Sequence, residues 1–222
     1  MIELVRTIPF EELFEKLRTS TLENADEEIR VYENARFELR AVYPREVNLS
    51  TFYLLEDALE RQRKLRAHLK EKYSIDTLRL SDCLELKDSA TGTLWIMMPP
   101  IVEVYEELVS YPQRLDSIAY SDHLRLLIPT VLDGHHRLWI ANEDEPEHTV
   151  NVVYITGSDS WNHPFYAYPN GWDRVQVYRS KDEIPRKKLY RRTEPYSRTR
   201  DLRVLGFSGS PGITRDKKNK KS

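Results

Sequence analysis

Five consecutive residues, Asp133, Gly134, His135, His136 and Arg137, interrupt two apolar runs in the sequence "LLIPTVLDGHHRLWIA". An ionised aspartate only accepts hydrogen bonds, so Asp133 can hold Mg²⁺, orient a hydroxyl or act as a base. Gly134 lets a ligand approach the backbone closely. Histidine donates to phosphate or shuttles a proton near neutral pH. Arg137 can grip phosphate oxygens with two parallel bonds. Three readings compete for this stretch. Asp-Gly is a strong hairpin dipeptide, but the residues after Arg137 do not alternate as a returning strand would. Two adjacent histidines rarely aim at one ion, and no further Cys or His stands at a zinc-like spacing. The third reading is a turn that leads from a strand into a helix, where unpaired backbone N–H groups and the positive end of the dipole favour an anion.

Several elements must position this turn. Apolar residues in 101–104, 124–132 and 150–155 predict strands, and 136–145 predicts a helix. Upstream, Phe10, Leu13 and Leu17 recur at helical spacing after Pro9, which predicts a helix over 8–18. Residues 29–43 read as strand. The clearest helical pattern runs over 48–73, with Ser50 or Thr51 as its cap and Phe52, Leu55, Leu59, Leu65 and Leu69 as its stripe. Residues 75–86 fit strand or helix equally, and "DSATGTLW" is a turn. Glu103 follows an apolar strand; it either projects toward the Asp133 turn or is an exposed strand-end carboxylate.

The segments "MPPIVEV", "TVLDGHHRLWIA" and "VNVVYI" resemble the ParB/sulfiredoxin superfamily. That resemblance implies an α+β fold built on a ParB/sulfiredoxin-like core. Sulfiredoxin has its reactive cysteine in the turn; here a histidine stands there and Cys83 lies elsewhere, so sulfinic-acid repair is not expected. The Asp-Gly-His-His-Arg form is more similar to the free-serine kinases of the superfamily, and "KDSATGTLWIMMPPIVEV" matches their approach to the strand at Gly92 and Trp95. The resemblance implies a nucleotide, ATP or ADP, with its phosphates on Gly134, His135, His136, Arg137 and Thr130, and Mg²⁺ on Asp133. Asp133, His135 and Glu103 would be the catalytic residues, and a small hydroxyl compound or a modified nucleobase the acceptor. Two features depart from the family. About 20 residues (105–124) are inserted between the strands, and the helical glutamate of the kinases has no motif to place it; Glu71, Glu85 and Glu103 qualify on position alone. The alternative is a ParB-like nucleotide-binding DNA-interaction module, or a nuclease.

Composition bounds these readings. The chain has 222 residues with a single cysteine, and no apolar run approaches the ~18 residues of a membrane span. A cytoplasmic location with no membrane partner is the expectation. The net charge of -2 conceals a segregation: residues 179–222 hold fifteen Lys/Arg against five Asp/Glu. This basic C-terminal extension, including "RKKLYRRTEPYSRTR", suits phosphate neutralisation on nucleic acid or a solvated tail. The last eight or so residues read as disordered. Trp161, His163, Tyr166, Tyr168 and Trp172 suit either stacking on a base or a satellite core cluster. The organisation expected is a helix-rich extension (1–74), a nucleotide-binding core (75–178) and the basic extension (179–222).

Overall fold

A computed structural model describes residues 2–22, 27–115, 118–160, 162–163, 171–185, 200 and 202–205, with backbone only over 107–115, 118–123 and 203–204. The elements in chain order are β1 (Ile2–Ile8), α1 (Phe10–Arg18), β2 (Arg36–Val42), β3 (Asn48–Leu49), β4 (Tyr53–Leu55), α2 (Glu56–Tyr73), β5 (Cys83–Asp88), β6 (Leu94–Met97), β7 (Ile101–Leu115), β8 (Ile118–Asp133), α3 (His135–Asp144), β9 (Val150–Thr156) and β10 (Gln176–Tyr178). The fold is α+β, as expected. Its centre is a five-stranded mixed sheet in the order β2-β9-β7-β8-β3. A three-stranded sheet, β1-β5-β6, lies beside it, and β4 pairs with β10.

Strand alternation sorts the central sheet into two faces. Val102, Val131, Val150, Val152 and Tyr154 pack on Leu59 of α2 and on Leu138, Ile140 and Ala141 of α3. Ile101, Val153 and Ile155 face the other way, against Phe10, Leu13 and Leu17 of α1 and against Leu205. The C-terminal half of α2 covers the small sheet through Leu69, which joins Leu84, Leu86, Trp95 and Met97.

Three departures from the sequence pattern have physical causes. The helical stripe over 48–73 becomes helix only at Glu56. Before it, Asn48 and Leu49 pair with Thr130 and Val131, and Tyr53 to Leu55 pair with β10. These ladders take the backbone bonds a longer helix would use, so Ser50 and Thr51 cap nothing. Second, the insertion at 105–124 is no loop: β7 and β8 pair continuously from Ile101↔Asp133 to Leu115↔Ile118. Third, Ile2–Ile8 is a strand whose partner, β5, lies some eighty residues away, beyond the reach of local pattern. Residues 1–74 therefore carry strands of both sheets as well as two helices.

Helix α2 ends at Ser74, whose φ of 57° is the left-handed value usually given to glycine; its N–H bonds to Lys70 O (3.1 Å) and Ile75 N–H to Leu69 O (3.2 Å). Ser74→Gly removes the Cβ penalty at an exposed position and should stabilise the fold by about 0.5 kcal/mol, read from the urea midpoint. A lower midpoint would mean that the serine side chain itself contributes. Among the described residues no helix is long and apolar enough to cross a membrane.

Candidate functional site

The Asp-Gly turn joins a strand to a helix, as its sequence suggests. Asp133 is the last residue of β8, Gly134 has φ 90° and caps α3, and Leu138 N–H closes the first helical turn on Gly134 O at 3.0 Å. No side chain caps the helix. A Cβ on Gly134 would lie 2.5 Å from the Cβ and 2.9 Å from the Cα of Pro100. The Pro-Pro step and the Asp-Gly turn are thus two halves of one contact.

Arg137 faces inward. Its guanidinium is buried, donates to the Met98 carbonyl and lies 3.4 Å from Asp133. Burial lowers its pKa, while the Asp133 carboxylate opposes that shift. Arg137 clamps the turn to the segment before β7 and does not line the neighbouring cleft. A phosphate grip, as expected from the sequence, needs an accessible guanidinium, and this one is buried.

The first turns of α2 and α3 meet at a cleft of about 350 Å³. Tyr53, Leu54, Leu55 and Ala58 form its apolar wall. Arg61, His135, His136 and Lys181 supply polar and cationic groups, beside Thr51 and Asp57. Two helix N-termini thus point at one space, and both dipoles favour an anion there. Asp57 and Arg61 pair at 2.5 Å, and that bond holds the Asp57 carboxyl below its ordinary range. His136 is half-buried; burial pushes its pKa below the ordinary histidine value, although Asp133 and Asp57 favour the charged ring. Burial thus favours its neutral form. His135 Nε2 contacts Ser50 Oγ at 2.7 Å. Asp133 keeps 40% of its side chain exposed. Ion pairs link the two helices: Arg63 to Glu143 at 2.7 Å and to Asp144 at 3.2 Å, and Arg66 to Glu145 just past the end of α3.

Glu103 and Thr130 do not join this cluster. They pair across β7 and β8 on the face that carries Ile101 and Ile155. Glu103 is 1% exposed and accepts from Tyr32 Oη (2.7 Å), Ser158 Oγ (2.8 Å) and both Arg200 nitrogens, Nε (3.1 Å) and Nη2 (2.8 Å). Burial, then the Glu103 charge, pushes the Tyr32 pKa well up. Burial opposes the charge on Arg200, but the Glu103 carboxylate outweighs it and raises the pKa. Thr130 is buried and donates to the Ile128 carbonyl at 3.2 Å.

The remaining candidates take structural places. Glu71 is exposed on α2, and Glu85 pairs with Arg6 at 2.7 Å. Trp172 stacks on Trp139 and donates to the Val47 carbonyl at 3.0 Å, which favours the satellite-core alternative for that residue. His163 lies 3.6 Å from Asp159. Trp161, Tyr166, Tyr168 and residues 186–199 lie outside the described residues. Burial raises the Cys83 thiol to about 12, so it stays protonated and unreactive. Among the described residues no three His, Cys, Asp or Glu side chains cluster as a metal cage. Mg²⁺ needs none, because one carboxylate and substrate phosphates suffice. Asp133 does not itself line the cleft, but its carboxylate is 40% exposed two residues before His135, which does, and so fits that pattern.

Sequence reasoning missed Ser50, Arg61 and Lys181. Ser50 reads in sequence as a helix cap, and nothing in the pattern singles out Arg61 or Lys181; the strand pairing before α2 brings Ser50 to the turn. Compared with known proteins, residues 12–176 match the profile of the ParB CE domain. No curated protein and no solved structure matches the chain.

Proposed function

Because the chain belongs to the ParB CE domain family, we propose that its α2/α3 cleft binds the phosphates of a nucleotide and that the protein transfers a phosphoryl group to a hydroxyl. The observation that carries this reading is the convergence of two helix N-termini with Arg61, His135, His136 and Lys181 on one cleft. The apolar wall with Tyr53 suits a base or ribose, and the cationic wall suits phosphates. Phosphoryl transfer asks a protein mainly for positioning and charge neutralisation. Asp133 orients or deprotonates the acceptor hydroxyl, neutral His136 donates to a phosphate oxygen, and Arg137 keeps the turn in place. Asp133 would be the protein's ligand to Mg²⁺, which when bound would supply further neutralisation of charge.

The test is titration with ATP, ADP and CTP, followed by a search for phosphorylated product. Arg61→Ala should weaken nucleotide affinity about tenfold, the worth of one charge-assisted bond. Asp133→Asn should abolish transfer and leave affinity within several-fold. Failure of every nucleotide to bind sinks the proposal, and undiminished turnover in Asp133→Asn removes that residue from the mechanism.

One observation favours a second reading, a nucleotide-dependent module that binds nucleic acid: fifteen basic residues against five acidic in 179–222. Duplex binding that weakens steeply with salt, without phosphorylated product, would support it.

A further inference from the structure

We propose that Ser50 is itself a phosphoryl acceptor, so that the protein phosphorylates itself beside the cleft with His135 as the base. This rests on the phosphotransfer reading above. Ser50 directly follows β3, whose two residues pair in parallel with Thr130 and Val131 of β8. That pairing fixes the serine one residue past Leu49, whose partner Val131 stands two residues before Asp133 at the end of β8. The Ser50 hydroxyl lies 2.7 Å from Nε2 of His135, the first residue of α3. Among the described residues this is its hydrogen bond, and neither α2 nor α3 takes a side-chain cap from it or from any neighbour. The serine is half-buried, and the residue after it, Thr51, lines the cleft together with His135. A hydroxyl held on an imidazole nitrogen beside an anion-binding cleft is the arrangement of an activated nucleophile.

The step balances without a further reagent. Ser50 Oγ forms a bond to the terminal phosphorus of a nucleoside triphosphate. The bond from that phosphorus to the bridging oxygen breaks, and its electron pair leaves on the nucleoside diphosphate. The hydroxyl proton passes to His135 Nε2. The imidazolium that results stands beside the phosphoserine at the positive end of α3 and stabilises its charge.

The experiment uses the full chain with Mg²⁺ and ATP labelled in the terminal phosphate, followed by intact mass and peptide mapping. One added phosphate on Ser50 is expected. Ser50→Ala should lose it, Ser50→Thr should retain a slower reaction, and His135→Gln should slow labelling about a hundredfold, the usual worth of a general base. Unchanged melting temperatures would show that these variants fold. Nucleotide affinity is measured in parallel. If nucleotide binds and free hydroxyl compounds are phosphorylated while Ser50 stays unmodified, self-phosphorylation is wrong and the phosphotransfer reading stands. Equal labelling of Ser50→Ala and the wild type also overturns it. Absence of nucleotide binding removes both.

Discussion

Arg200→Ala is expected to destabilise the protein by about 3–5 kcal/mol, the usual result of removing one partner of a buried ion pair. Both side chains of the pair are 1% exposed, and the arginine meets Glu103 with two nitrogens at 2.8 and 3.1 Å. Without it the carboxylate keeps, among the described residues, two neutral donors, Tyr32 and Ser158, beside an apolar cluster. The loss should be specific to the orphaned charge. Replacing both partners together, Glu103→Met with Arg200→Met, removes the charge as well and should recover most of the stability. Urea denaturation of the single and double variants measures this. A single-variant loss below about 1 kcal/mol would mean that water reaches Glu103. The same contact governs how the basic extension is tested for nucleic-acid binding. Truncation after residue 178 would remove Arg200 and Leu205, which is 1% exposed, and so would unfold the core along with removing the charge. A cut after Leu205 spares both.

Gly134→Ala should cost about 2–4 kcal/mol and abolish binding at the cleft. Two penalties coincide there. A residue with a Cβ at φ 90° is strained by about 1–2 kcal/mol. The added carbon also falls 2.5 and 2.8 Å from the ring of Pro100 and 2.9 Å from its Cα. That ring cannot rotate away, so the backbone on one side must move. Movement of the turn carries the first residues of α3, and with them His135 and His136, out of place. Gly92→Ala is the matched control. Its φ is 72°, but nothing lies within 4 Å of the added carbon, so only the strain of about 1 kcal/mol applies. Thermal denaturation of the two variants separates strain from collision. Equal losses would show that the Pro100 contact relaxes freely.

The parts of this fold that were legible in sequence are those specified locally. Helix α1 buries the Phe10, Leu13 and Leu17 that its spacing marks, and the turn at residues 133–137 opens a helix as its glycine and following pattern imply. What escaped was specified by partners far along the chain. The stripe before α2 is helical by period, but residues 48–49 and 53–55 are strands because β8 and β10 lie alongside. Arg137 has the chemistry of a phosphate ligand, and only the position of the Met98 carbonyl turns it inward. Glu103 shows the same limit. Its place after an apolar strand fits a pocket acid and a core ion pair equally, and the decision comes from Arg200, ninety-seven residues later.

That separation also sets an order of events during synthesis. A ribosome adding ~5–20 residues per second needs on the order of 5–20 s to travel from Glu103 to Arg200. Throughout that interval the carboxylate has no cation, so sealing it beneath α1 would bury a lone charge. Strands β7 and β8, neighbours in the sequence, can zip together early. The α1 side of the sheet has to stay open to water until the basic end of the chain arrives to neutralise it.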